Sequence, residues 1–205
     1  MNWDILLLSC SMAVCAAACL FHACRLIKLG LPKDYSVKSG NVNDAIKYSF
    51  TGAMSPKEKE SAYMHLPTYT LGILYHIGTF VAIPLLILVM LGYSLPKTFA
   101  SLAGIALCIT SAAGFGILLK RVFVKKLAAL SNPDDYISNV LVSIFQASIA
   151  LTLFIPAYAT ATFIIASCLF LYLPVGKLKH AVYFFAARIH LGYFYGWRGV
   201  WPPQN

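Results

Sequence analysis

The chain has 205 residues, 60% of them hydrophobic and 11% charged, and its sixteen Lys and Arg against seven Asp and Glu give a net charge of +9. With so much apolar sequence no stretch is left for a soluble module with its own core, so catalysis that needs a water-soluble fold belongs to a partner. The basic surplus is not a nucleic-acid footprint: fifteen of the sixteen cations lie in 25–64, 120–136 and 177–205, and the runs 5–24, 61–96, 98–119 and 136–176 between them carry no charge.

A charge-free run of about 20 residues, wound as a helix, crosses a hydrocarbon core of about 30 Å. The first run predicts a span over about 4–29. Its positive residues, Arg25 and Lys28, follow the apolar stretch instead of preceding it, which favours a span over a cleaved signal peptide. The second and third runs predict spans over about 62–93 and 97–120, joined through Ser94-Leu95-Pro96-Lys97. The fourth run is too long for one helix, and Pro156 near its middle lacks the N–H of a continuing helix. It divides into spans over about 136–155 and 158–182, followed by a tail over 183–205. The expected fold is an all-α integral membrane bundle of five transmembrane helices in a single domain, 1–205. The basic loops set its polarity, with the N-terminus outside and the C-terminus cytoplasmic.

Six cysteines, at 10, 15, 19, 24, 108 and 168, lie within spans without a CxxC pair and read as small hydrophobes. Ionisable residues within spans are functional candidates because burying them in lipid is costly. His22, His65, His76, His180 and His190 are the histidines, and His76 is the deepest, about 25 Å along the helix from the outer turn at Tyr93. His22 and His65 also suit interfacial roles, and His190 suits a contact in the tail. Two imidazoles from facing helices are the usual axial ligands of a b-type haem, and His76 with His180 form the candidate pair. Small residues leave room for a macrocycle: Gly72 and Gly78 flank His76, and Gly104, Gly114 and Gly116 lie on the third helix. Glycines also simply let helices approach.

Leu74-Tyr75-His76-Ile77-Gly78, Leu118-Leu119-Lys120-Arg121 and Leu173-Pro174-Val175-Gly176-Lys177-Leu178-Lys179-His180 occur in that order. Their succession resembles the gamma subunit of respiratory nitrate reductase, a five-helix membrane cytochrome b that oxidises quinol. Ser55-Pro56-Lys57-Glu58-Lys59-Glu60-Ser61, Asn132-Pro133-Asp134-Asp135-Tyr136-Ile137-Ser138-Asn139 and Gly196-Trp197-Arg198-Gly199-Val200 look closer to one branch of that superfamily. That branch holds the cytochrome b subunits of heterodisulfide reductase and of the sulfite-reductase-associated membrane complex.

The resemblance implies a multi-pass protein of the cell inner membrane that passes electrons between quinone and a cytoplasmic iron–sulfur subunit of a hetero-oligomeric complex. The catalytic subunit is then a separate chain. His76 and His180 match the ligand pair of the haem nearer the cytoplasm, whereas the positions of the other pair are Leu86 and Thr162, which cannot ligate iron. One haem b is therefore expected in place of two. A rearranged scheme pairs His22 with His76 and His65 with His180. Arg25, Lys177 and Arg188 are candidate propionate partners, and Gly72 a haem-packing residue. Tyr69, Tyr75, Ser143 and Gln146 suit either a quinone carbonyl or hydrogen bonds between helices. The basic residues around Lys120 and Arg121 can face the partner or anionic lipid. The partner's expected docking surface is 31–64, 120–136 and the aromatic tail 183–201. A cofactor-poor structural anchor is the competing reading, and a small transporter is disfavoured because no Asp, Glu, Lys or Arg lies within the charge-free runs.

Overall fold

The structure is a computed structural model that describes residues 2–58 and 64–203. Every regular element among the described residues is helical. The α-helices are α1 (Trp3–Leu29), α2 (Val42–Phe50), α3 (Leu66–Met90), α4 (Lys97–Phe123), α5 (Lys125–Ala129), α6 (Pro133–Phe154), α7 (Ala159–Tyr172) and α8 (His180–Trp197). Single 3₁₀ turns lie at Gly52–Met54, Pro156–Tyr158 and Lys177–Lys179. Among the described residues α1, α3, α4 and α6 are long and apolar enough to cross a membrane, and a fifth crossing is counted if α7 and α8, with the 3₁₀ turns before them, form one broken span. This is the architecture of a multi-pass membrane protein.

The boundaries follow local chemistry. Helix α3 stops at Gly92, whose φ of +69° allows Tyr93 N–H to reach back to Leu88 C=O at 2.9 Å. The start of the expected second span, residues 62 and 63, lies outside the described residues. Helix α6 opens on a reciprocal cap: the Asn132 side chain accepts from Asp135 N–H at 3.0 Å, and the Asp135 carboxylate accepts from Asn132 N–H at 3.0 Å. Pro133 occupies the first helical position, where its missing N–H costs nothing. The expected break at Pro156 is present, after Ile155 closes α6.

The expected fifth span, 158–182, is not one helix. Helix α7 ends at Tyr172 because Pro174 cannot donate to the ladder and its ring crowds the preceding turn. Val175 and Gly176 both bond back to Tyr172 C=O, at 3.1 and 2.9 Å. A new helix begins at His180 and runs to Trp197, so most of the expected tail is helical.

The chain divides into two compact units, Met1–Ala16 with Pro67–Leu178, and Ala17–Leu66 with Lys179–Asn205. In the first unit α4 and α6 form the most extensive helix pair. Its core combines Leu8, Leu86, Leu107, Phe145 and Ile149 with fully buried polar residues, Ser143, Gln146 and Thr162. Three glycines bring the helices together. A Cβ on Gly78 would lie 2.5 Å from Gln146 Oε1, on Gly114 2.3 Å from the Tyr75 ring, and on Gly104 2.6 Å from the Phe154 ring.

In the second unit α2 lies against α8. A Cβ on Gly192 would sit 2.5 Å from the Ile46 backbone, and one on Gly196 2.5 Å from Ala45 Cβ, so α8 meets α2 through a surface without side chains. Ser49 hydroxyl donates to Arg188 C=O at 2.9 Å. The 31–41 segment is tied to the end of α8: Trp197 indole N–H donates to Ser36 C=O at 2.8 Å, Ser39 N–H donates to Trp197 C=O at 2.8 Å, and Arg198 pairs with Asp34 at 2.6 Å. The Ser36 backbone N–H and hydroxyl, and then Arg198, hold the Asp34 carboxyl below its ordinary value of 3.8.

Because the folded value is depressed, Asp34 contributes its full stabilisation above the ordinary carboxylate range and loses it as pH falls through the lowered value. The protection factor of the Trp197 indole N–H, the exchange rate of a free indole divided by its own at the same pH, should be constant from neutral pH to just above that range and fall below it. In Asp34→Asn the protection should be low throughout and lack that acid step.

Candidate functional site

The deepest candidate, His76, lies in the middle of α3 with its side chain facing away from the unit's core. Its Nδ1 is 2.7 Å from Gly72 C=O, one turn earlier. A carbonyl only accepts, so Nδ1 carries a proton, and in a neutral ring Nε2 then carries the lone pair. A ring fixed in this way has the tautomer of a metal-ligating histidine, whose far nitrogen is anchored by a hydrogen bond. A Cβ built on Gly72 meets nothing within 4 Å among the described residues, and the same is true of Gly116. The five glycines noted in the sequence therefore separate into two kinds. Gly78, Gly104 and Gly114 are required by helix packing, while Gly72 beside His76 is not.

Tyr75, the preceding residue, explains why His76 points outward. Its hydroxyl donates to Asn139 C=O at 2.9 Å and accepts from Ser143 at 3.3 Å. Its carbonyl accepts from Gln146 Nε2 at 3.0 Å. Gln146 also donates to Thr79 at 2.8 Å and accepts from Thr110 at 2.7 Å, while Ser111 donates to Ser143 C=O at 2.8 Å. Successive helix residues differ by about 100°, so turning Tyr75 into this network turns His76 away from it. Tyr75, Ser143 and Gln146 thus serve as hydrogen-bond partners between helices, the packing alternative to contacting a quinone. Thr79 and Thr110 complete the set, and nothing in residue order marks either.

The other histidines belong to the second unit. His22, on α1, is half-buried against Tyr183, with ring centroids 5.9 Å apart and a long contact of 3.5 Å between Nδ1 and the phenol oxygen. His65 is exposed in the turn before α3, His180 is the exposed first residue of α8, and His190 is half-buried on α8. Arg25 is exposed near the end of α1. Arg188 contacts Met54 Sδ and lies 5.6 Å from the Phe184 ring centroid, so its guanidinium already has protein partners.

Lys177 is paired with Asp135, which also holds Arg121 at 3.2 Å. This carboxylate, only 5% exposed, joins the end of α4, the start of α6 and the segment after α7. Arg121 further donates to Ser131 at 3.0 Å, and Lys120 donates to Thr68. Neither Thr68 nor Ser131 stood out in the sequence, because each hydroxyl gains meaning only from a cation on another element.

Leu86 and Thr162 are fully buried. Thr162 hydroxyl lies 2.7 Å from that of Thr152 and 2.9 Å from Ser148 C=O, which fastens α7 to α6. Both positions are part of the first unit's core.

No protein-family model, curated protein or solved structure matches this chain.

Replacing Asp135 by Asn keeps an oxygen that can accept from Asn132 N–H but removes the shared negative partner of two part-exposed cations. Asp135→Asn should cost about 1–2 kcal/mol through the lost ion pairs. Reversible denaturation in detergent measures it, and Asp134→Asn, which leaves the cap and pairs intact, should change stability by less than about 0.5 kcal/mol.

Proposed function

We propose that this chain is the haem b-bearing membrane subunit of a quinone-linked respiratory redox complex. The observation that carries the reading is the imidazole of His76. It is presented from an apolar membrane-crossing helix, its Nδ1 proton is committed to Gly72 C=O at 2.7 Å, and the small residue beneath it leaves space. An ionisable side chain on a membrane-crossing helix is costly to place and marks a functional position. The donor chemistry fits haem iron, which accepts a neutral imidazole nitrogen.

His180 is the second ligand on the strength of the resemblance to the nitrate reductase gamma subunit. One haem is favoured over two because Leu86 and Thr162 are core residues without ligand atoms, which leaves His22 and His65 outside the preferred scheme. The same resemblance and the basic loops support a five-span topology in the cell inner membrane, N-terminus outside and C-terminus cytoplasmic. A cytoplasmic iron–sulfur subunit receives or delivers the electrons, and the catalytic subunit is a separate chain.

Within this reading the chain's own residues bind and orient. A haem supplies reversible one-electron storage when bound. Gly72 C=O fixes the His76 tautomer, the bonds of Gln146 to Tyr75, Thr79 and Thr110 fix the rotation of α3 that presents His76, and the surrounding aliphatic residues exclude water. Gly72 keeps the approach to the imidazole low.

Pyridine haemochrome quantitation on the purified complex should give one haem b per chain. His76→Ala, still inserted in the membrane, should lose the b-type band. Gly72→Ala should retain it and Gly72→Phe should not, although both fold. A haem content unchanged by His76→Ala overturns the assignment. Two haems per chain favour the scheme with His22 and His65, and no reducible haem in the intact complex leaves a structural anchor.

A further inference from the structure

At one end of α4 a cavity of about 180 Å³ opens between Thr68, Lys120, Arg121 and Ser131. Leu127 and Leu130, around the short helix α5, supply its apolar wall. Helix α4 has 27 residues, about 40 Å, which exceeds the hydrocarbon core and brings its ends to the headgroup layers. Lys120 and Arg121 occupy its last turn and therefore lie at the level of lipid phosphates.

The hydrogen-bonding groups around the cavity are unbalanced. Lys120 has three N–H donors and gives one to Thr68, whose own hydroxyl proton remains to be donated. Arg121 uses Nη1 on Ser131 and Asp135, and its guanidinium carries further N–H groups. Ser131 hydroxyl is already spent on Leu127 C=O at 2.7 Å. The carboxylate beside them, Asp135, is shared by Arg121 and Lys177. Such a site seeks a compact anion with several acceptor oxygens. Cavities for drug-sized ligands or cofactors run to about 300–1,000 Å³. This one is too small for a macrocycle or a quinone with its tail, and is suited to a phosphate with a few attached carbons. The leucines beside it suit the start of an acyl chain.

We infer that the end of α4 and the α5 turn form a specific site for the phosphodiester headgroup of an anionic glycerophospholipid, with Lys120 and Arg121 on the phosphate and Leu127 and Leu130 against the lipid's glycerol and upper acyl carbons. The inference is independent of the haem reading and concerns a different part of the molecule from His76.

Native mass spectrometry of the full chain, delipidated and then reconstituted into phosphatidylcholine containing a minor share of phosphatidylglycerol, tests it. One phosphatidylglycerol should be retained per chain in preference to phosphatidylcholine. Lys120→Gln leaves the Arg121–Asp135–Lys177 pairs in place and should weaken retention about fivefold, the effect of one cation near an anionic surface. Lys125→Gln removes the same charge from an exposed position outside the cavity lining and should have no such effect. Leu127→Trp keeps every charge, fills the cavity and should also release the lipid. Equal retention of phosphatidylcholine would overturn the preference for an anionic headgroup, and equal losses in Lys120→Gln and Lys125→Gln would overturn the site in favour of a diffuse surface potential. Displacement of the lipid by millimolar inorganic phosphate would overturn it in favour of the free ion.

Discussion

The first unit depends on satisfying one amide in a medium that offers no water. Gln146 is fully buried, and both ends of its side chain are used: the nitrogen on Tyr75 C=O and Thr79, the oxygen on Thr110. Hydrogen bonds between membrane helices average only about 0.6 kcal/mol each, because an unfolded chain in the membrane also finds partners. Their directional requirement matters more than their sum. A buried amide satisfied at both ends admits one rotation and one register of the helices around it, and among the described residues no buried side-chain nitrogen or oxygen is left without a partner. Gly78 and Gly114 belong to the same constraint, since a methyl at either would push Thr110, Gln146, Tyr75 or Ser143 out of bonding range. The outward presentation of His76 is a by-product of that register.

Much of this was legible from residue order. Charge-free runs locate four membrane-length helices and Pro156 locates the break after α6, whereas the caps at Gly92 and Asn132 emerge only in the structure. The break at 173–176 is not legible from Pro174 and Gly176 alone. An apolar run continued on both sides of them, and length alone favoured one span. Residues 183–205 read as a tail because they follow the last membrane-length run and carry charge and aromatics suited to a docking surface. What makes it a helix with a partner is the small-residue face at Gly192 and Gly196, which becomes recognisable only when α2 lies against it.

The candidate sites divide similarly. His76 announces itself as a titratable residue deep in an apolar run, and Gln146 as an amide in another. The grouping of Arg121, Asp135 and Lys177 does not, because its members come from three elements separated by turns whose geometry no local pattern specifies. Asp135 has a readable role as the reciprocal partner of Asn132, and that role hides the second one. One carboxylate oxygen caps the helix while both engage cations, so a familiar local motif also serves tertiary structure.

Helix α7 has consequences for how the chain enters a membrane. Its 14 residues span about 21 Å, short of the roughly 30 Å of a hydrocarbon core. Such a segment is a weak independent signal for the insertion machinery. It is fastened to α6 by the Thr162 hydroxyl on Ser148 C=O and beside Thr152, a bond that α7 meeting lipid before its neighbour would lack. Entry of α6 and α7 together, as a hairpin closed at Ile155-Pro156, would keep that bond throughout.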